Sequence, residues 1–368
     1  MILQELFCFN AVNIEGKYVV QKSKMRSFLK ILAVVLSALL IAAGFFGGYI
    51  LYRFNCDKSG DTHSYSEIFD QEPVALNIDD SGIFKVLQIN DTHMFNGTCE
   101  NDVKTLDGIK NILSENQYDL IILNGDIVDG FNLRSDYDKF GAISDLADII
   151  EETDTPWTFA PGNNDGEIDG ENEDVIAYMM QYDDFICGNE ENLDGSMQVY
   201  IDLNYSGELA HGIAVMDSGS RTVKAIGTYD YIKKDQAQWL NDETNKRNVK
   251  TSVFFHMQTN AFETAYDEGK AYDGYFMSKV YPYDEIKNDT IFDDVTGDNG
   301  NISLISCGHQ HSNNMCAFYN GRYYQLCHAS GYSAGRDDFI TPAVTEIDID
   351  VTDNNTQTMY AFNQIELV

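Results

Sequence analysis

Seven histidines lie along 368 residues, and four fall in short motifs that give each an oxygen ligand or a second histidine at usable spacing. The motifs are Asp91-Thr92-His93, Gly125-Asp126 with Asp129, Gly162-Asn163-Asn164-Asp165, a lone His256, and Gly308-His309-Gln310-His311. Such a set could build a two-metal centre. A pair of divalent ions about 3.5–4 Å apart needs one carboxylate that reaches both, plus enough Asp, Asn and His side chains to complete each shell. Asp126 is the candidate bridge. Asp129 and Asp165 read as turn or supporting residues, since Asp commonly caps turns and helix starts. His63 and His211 carry no motif and read as surface residues. His328 follows the run Tyr323–Cys327 and reads as structural, although it could approach the site from the far side.

What must position these residues is a set of strands. Each motif follows an apolar run: Phe84–Ile89, Leu120–Leu123, Trp157–Ala160, Val253–Phe255 and Ile302–Ile305. Ligands just past strand ends match the carboxyl edge of an open α/β sheet, where strands fix position and loops carry polar groups. Leu106, Ile109, Ile112 and Leu113 form one helical stripe, and Phe140, Ile143, Leu146, Ile149 and Ile150 another. The later chain is richer in strands, at 198–201, 212–216 and 345–349.

In this order the motifs resemble the calcineurin-like metallophosphoesterases, whose patterns read D-x-H, G-D-x-x-D/Y, G-N-H-D/E, a single H, and G-H-x-H. Asp217-Ser218-Gly219, Tyr229-Asp230-Tyr231-Ile232, Gln236 with Gln238-Trp239-Leu240, Phe254-Phe255-His256, Ser312-Asn313-Asn314 and Ser330-Gly331-Tyr332 are similar to the small purple-acid-phosphatase-like branch. The likeness covers roughly residues 83 to 335; D-x-H alone carries little, whereas five ordered motifs are specific. The resemblance implies an α/β fold, a four-layer αββα sandwich of two mixed sheets flanked by helices. It implies two metal sites, with Asp91, His93 and His311 at the first, Asn163, His256 and His309 at the second, and Asp126 at both. The implied cofactors are two divalent or trivalent ions, Mn, Fe or Zn. The implied chemistry is hydrolysis of a small phosphate ester, most simply a monoester, by a metal-activated hydroxide without a phospho-enzyme.

This chain departs from the pattern in three places. Asn164 stands where the family has the histidine that contacts the phosphoryl group or assists the leaving group, so it is the candidate catalytic position; an amide can donate a hydrogen bond but cannot deliver a proton. General acid catalysis is worth ~10²–10⁴-fold, a loss that weighs most on alkyl phosphates. Asp129 stands where coloured purple acid phosphatases bind ferric iron through tyrosine, so no purple band is expected. Met257-Gln258 follows His256 where the branch continues with proline.

Ahead of this region, Ile31–Tyr52 runs 22 residues without a charge, long enough to span a bilayer as a helix. Lys22, Lys24, Arg26 and Lys30 precede it and Arg53 alone follows, a bias that puts the N-terminus in the cytoplasm. Residues 1–30 then form a short basic segment, 31–52 an anchor or signal sequence, 53–80 an acidic linker, and 81–368 the catalytic domain. The expected location is membrane-anchored and facing outside the cytoplasm, or secreted if the helix is cleaved. Residues 1–56 carry six Lys or Arg against two Asp or Glu, and the rest 18 against 57. Such an acidic surface repels nucleic acid polymers, whose binding requires phosphate neutralisation. No obligate protein partner is implied.

Seven cysteines show no zinc spacing, and outside the cell Cys307, Cys316 and Cys327 are the place to look for a disulfide. The tyrosine-rich stretch from Ala261 to Asn301 reads as a long loop, either a substrate-shaping lid or a solvated insertion. Two other functions stand beside a monoesterase: a metal-binding module without turnover, and a phosphodiesterase for nucleotides or lipid head groups.

Overall fold

The computed structural model describes residues 17–56, 63–130, 132, 134–166, 172–220, 229–272, 290–335 and 341–367. The chain divides into two compact units, 1–56 and 57–368. The described residues of the first form one helix, α1 (Lys17–Cys56), within which Ser27–Gly48 is long and apolar enough to cross a membrane, with mean hydropathy 2.5 and its apolar side chains exposed.

The second unit comprises, in chain order, β1 (Val74–Asn77), β2 (Ile83–Ile89), α2 (Glu100–Glu115), β3 (Leu120–Leu123), α3 (Lys139–Glu151), β4 (Trp157–Phe159), α4 (Asn172–Met179), β5 (Phe185–Ile186), β6 (Gln198–Tyr205), β7 (Glu208–Met216) and α5 (Lys234–Arg247). There follow β8 (Lys250–Phe254), α6 (Ala261–Glu268), β9 (Lys270–Ala271), α7 (Thr290–Thr296), β10 (Ile302–Cys307), β11 (Met315–Tyr319), β12 (Arg322–Leu326), β13 (Ala343–Asp350) and β14 (Tyr360–Glu366). An eight-stranded sheet runs β1-β6-β7-β8-β10-β12-β11-β9 and a six-stranded sheet β14-β13-β2-β3-β4-β5. Both are mixed: β2-β3-β4-β5 and β7-β8-β10-β12 are parallel, and the β13, β14 and β11 pairings antiparallel.

Alternation along β7 shows how the layers stack. Ile213 and Val215 join Val86, Ile121 and Ile347 of the six-stranded sheet in one core, whereas Ala214 and Met216 join Trp239 and Leu240 of α5, Phe262 of α6 and Phe292 of α7 in another. The eight-stranded sheet therefore has the other sheet on one face and helices on the opposite face, and the two stripes of α2 and α3 bury against the six-stranded sheet. This is the expected αββα arrangement. Leu120–Leu123 is fully buried along its length because a central parallel strand is covered on both faces.

Two boundaries differ from the sequence reading. The stretch taken as an acidic linker, 53–80, contains a short 3-10 turn, Tyr65–Asp70, and β1, which pairs in parallel with β6 from Val74↔Ile201 to Asn77↔Asn204. Ile68 is buried and the Tyr65 hydroxyl donates to the Ser196 carbonyl at 2.7 Å, so 63–80 belongs to the folded unit. A four-residue edge strand with only two positions, Val74 and Leu76, turned partly inward leaves little periodic signal. Nor is 261–301 a continuous loop: α6 and α7 pack Phe262 and Phe292 into the outer core, and Tyr272 packs edge-on against Tyr323 and Phe362. Tyr275, Tyr281 and Tyr283 lie outside the described residues. Cys307, Cys316 and Cys327 are all buried, and no disulfide joins them.

Candidate metal centre

Five strand ends converge on one edge of the sandwich. Asp91 and His93 follow β2, Asp126 follows β3 and Asn163 follows β4, all in the six-stranded sheet; His256 follows β8, and His309 and His311 follow β10, in the other. Within each sheet these strands are parallel neighbours, so their carboxyl ends lie side by side. The turns are sharp: Asp91, His93, Asp126 and His309 all adopt positive φ, from 46° to 72°. Asp, Asn and His tolerate this region best, at a cost of order 1–3 kcal/mol each. Backbone bonds from Asp91 to the Gly125 carbonyl (2.9 Å) and from His93 to the Asp126 carbonyl (3.0 Å) hold the first two turns together.

Two ligand groups form, joined by one residue. Asp91, His93, Asp126 and His311 bring four ligand atoms within 4.8 Å of one another, and Asp126, His256 and His309 do the same. His256 Nε2 lies 3.3 Å from Asp126 Oδ2 and 3.8 Å from Asp91 Oδ1; His311 Nε2 lies 3.3 Å from Asp91 Oδ1. His93 and His311 face each other through Nε2 atoms 2.9 Å apart, so a proton or a cation must lie beside both. Asp91 Oδ1, Asn163 Oδ1 and His256 Nε2 are buried without a hydrogen-bond partner. Buried polar atoms are normally satisfied, so this set fits a cation bound among hard oxygen and imidazole donors.

The electrostatics agree. Burial opposes ionisation of Asp126, yet His256 and His93 outweigh it and hold the carboxyl at about 2. Burial likewise opposes the charge on Asp91, but His256 and the other imidazoles keep its carboxyl well below the usual range. Burial and the charge of His256 push His309 down to about 3. His256 resists burial because Asp126 and Asp91 face it, which raises it to about 10. Two anionic carboxylates in a buried pocket favour positive charge there.

Supporting contacts aim the ligands. His256 Nδ1 bonds the Asn124 carbonyl at 2.9 Å and His311 Nδ1 the Gly335 carbonyl at 2.7 Å, which turns both Nε2 atoms inward. Asn90 Nδ2 donates to Asp91 Oδ2 (2.7 Å) and to the His328 carbonyl (3.0 Å). The Asp165 carboxylate accepts from the backbone of Asp126, Ile127 and Gly162, each at 2.8 Å, tying the second motif to the third. Burial and the neighbouring Asp126 raise Asp165 to about 6. The Asp129 carboxylate accepts from Asn132 Nδ2 at 2.8 Å. His328 Nδ1 lies 2.6 Å from Gln364 Nε2. His63 is exposed as expected, but His211 is fully buried, 3.0 Å from Ser252 Oγ. The hydroxyl inside the sandwich partners Nε2, while Nδ1 is buried without a hydrogen-bond partner, an environment that its sequence context did not reveal.

The sequence profile of the calcineurin-like phosphoesterases matches residues 84–313. The chain belongs to that family. This phosphoesterase is 23% identical over 291 residues to an Arabidopsis thaliana protein named "Probable inactive purple acid phosphatase 29", a match covering 68% of this chain and 72% of the relative. It is 24% identical over 298 residues to phosphatase DCR2 of Saccharomyces cerevisiae, covering 73% of this chain but 49% of that protein, so it spans about half of that relative's length. Among solved structures, a dimetal phosphatase from Danio rerio aligns over 77% of this chain and 99% of its own, with 12% identity and a TM-score of 0.49. Membership of that family makes the chain a phosphoesterase, a hydrolase of phosphoric esters.

Sequence reasoning missed the residues that orient the phosphoesterase's ligands, namely Asn90, Asn124 and the carbonyl of Gly335. The one available signal was an Asn at the end of both β2 and β3, directly before each acidic motif. Gly335 serves the site only through its backbone carbonyl, which accepts from His311 Nδ1 and which no side-chain pattern encodes.

Proposed function

We propose that this chain is an extracytoplasmic, membrane-anchored phosphomonoesterase with a dinuclear metal centre. Asp91, His93 and His311 would hold one ion, Asn163, His256 and His309 the other, and Asp126 both. The observation that carries this reading is the pair of ligand groups sharing Asp126. Bound ions would supply Lewis acidity toward the phosphoryl oxygens and activation of water.

The chain's own residues then have defined tasks. Asp126 keeps its charge and presents oxygens to both groups, while the carbonyls of Asn124 and Gly335 fix the two imidazoles so that no reorganisation is needed on binding. Asn164 is engaged with Asp126 through its backbone N–H and its Nδ2 at 2.7 and 2.8 Å, and has no proton to give a leaving oxygen. The enzyme is therefore biased toward esters whose leaving groups need no proton.

Purified full-length protein loaded with Mn, Fe or Zn should hydrolyse an aryl phosphate monoester faster than the matching diester. Asp126→Asn or a chelator should abolish the reaction. Asn164 specifically favours the alternative of a module that keeps its metals without turnover; bound metal with no hydrolysis across a broad ester panel would establish that alternative. A diester preference would establish a phosphodiesterase. Anchoring rests on the apolar span in α1 and the basic residues before it.

A further inference from the structure

Asp217-Ser218-Gly219 and Tyr229 supply none of the candidate ligands, although both lie in the stretch that resembles the purple-acid-phosphatase-like branch. They belong to the connection between β7 and α5, and that connection reaches three ligand loops. The Ser218 Oγ accepts from the backbone N–H of Met257, the residue after His256, at 2.9 Å. The Ser220 Oγ donates to the Asn163 carbonyl at 3.2 Å. The Tyr229 ring meets the His309 ring edge-on, with centroids 4.7 Å apart. Asn163, His256 and His309 are the candidate ligands of the second ion alone. One connection therefore touches every member of that set except the shared Asp126.

The connection is itself pinned to the sandwich. Asp217 is buried and accepts from the backbone N–H and the hydroxyl of Ser196 at 2.8 and 2.7 Å, and from the Gly219 N–H at 2.7 Å. Gln236, in the first turn of α5, donates from Nε2 to the Asp217 carbonyl at 2.8 Å. The Asp230 N–H donates to the Ser220 carbonyl at 2.9 Å, which brings the two described ends of the connection together. The first set leans on another stretch of chain. Backbone N–H groups of Ser330 and Gly331 donate to the carbonyls of Asn90 (2.8 Å) and Asp91 (3.2 Å), Asn90 Nδ2 holds Asp91 Oδ2, and the Gly335 carbonyl accepts from His311. Contacts behind a metal ligand set its orientation and so the affinity of its site. Two separate braces let the two affinities move independently.

We propose that the β7–α5 connection is the positioning element of the second ion site, with Ser218, Ser220 and Tyr229 acting through His256, Asn163 and His309. The inference rests on the dinuclear phosphomonoesterase reading, and its test separates the two. Full-length protein stripped of metal is titrated calorimetrically with Mn(II), and the loaded protein is examined by electron paramagnetic resonance, which distinguishes a coupled pair of ions from an isolated one. Ser218→Ala, Ser220→Ala and Tyr229→Leu should each weaken one ion on the order of 10- to 100-fold and leave the other as in the native chain. The signal of a coupled pair should then give way to that of an isolated ion. Ser220→Thr keeps the hydroxyl and Tyr229→Phe keeps the ring, so both should bind as the native chain does. Asn90→Ala should weaken the other ion, and its combination with Ser218→Ala should weaken both. Circular dichroism confirms folding, and p-nitrophenyl phosphate reports hydrolysis separately. Native affinity for both ions in the folded Ser218, Ser220 and Tyr229 variants, or equal weakening of both ions, would overturn the positioning role while hydrolysis by the native chain leaves the enzyme reading intact. Loss of one ion in those variants with no hydrolysis by the native chain would overturn the enzyme reading and leave the positioning role intact. A single ion site in the native chain would overturn both.

Discussion

At position 164 the third motif carries an amide where the family pattern has an imidazole, and that amide is turned inward. Its two donors meet the two oxygens of Asp126, so it fixes the orientation of the shared carboxylate. The replacement itself was plain from the sequence. Its engagement with Asp126 was not, because the partner lies 38 residues away and is reached only when the ends of β3 and β4 come together. Asn164→His should therefore raise turnover of an alkyl phosphate more than that of an aryl phosphate, lifting the alkyl-to-aryl ratio by roughly 10²-fold at most physiological pH values. Steady-state rates on the two esters for both proteins measure this. An unchanged ratio would mean that no acid step limits the native enzyme.

Among the elements, the strands that deliver the ligands were legible because each carries a run of buried residues up to its carboxyl end, and the helices α2 and α3 because their stripes persist over several turns. Elements without such a run escaped: β1 alternates half-buried and exposed along its four residues, and α6 turns only Phe262 and Ala265 into the core within eight. A periodic pattern needs a window longer than these. The loops were legible only as motifs, since their glycines do work that depends on close approach. Gly162 is one such case: a Cβ there would lie 2.1 Å from the backbone nitrogen of Asp126, a contact no side-chain rotation can relieve. Gly162→Ala should force the third motif away from the second. The expected outcome is metal content below two ions per chain and aryl-phosphate turnover lowered by at least about 10²-fold, a scale set by the sensitivity of rate to ~1 Å misplacement. Elemental analysis and rates, with circular dichroism to confirm folding, check it; native metal content would show that the loops give way.

On the scale of the whole second unit, the candidate metal ligands come together only where two sheets meet, so whatever holds the sheets together sets their geometry. Much of that seam is apolar, but a polar chain crosses it. The Tyr360 hydroxyl, from the six-stranded sheet, lies 2.8 Å from Ser252 Oγ, 2.6 Å from Ser303 Oγ and 3.4 Å from His211 Nε2, all in the eight-stranded sheet. His211 is fully buried, and burial, with a smaller contribution from Lys250, lowers it from 6.5 to about 3. The folded chain thus keeps this imidazole neutral. Above pH 6.5 both folded and unfolded chains hold it neutral, and it adds no pH dependence. As pH falls from 6.5 toward 3 the unfolded chain takes up a proton that the folded chain refuses, so stability drops by about 1.4 kcal/mol per pH unit from this residue. His211→Gln retains a polar group that does not titrate. Its unfolding free energy, from urea titrations between pH 6.5 and 4.5, should fall less steeply than that of the native chain by about that amount per pH unit. The difference between the two proteins cancels the protonation of the metal ligands, which is common to both. Parallel pH profiles would show that His211 is as readily protonated in the folded sandwich as in the unfolded chain, and that the polar seam between the sheets opens to water.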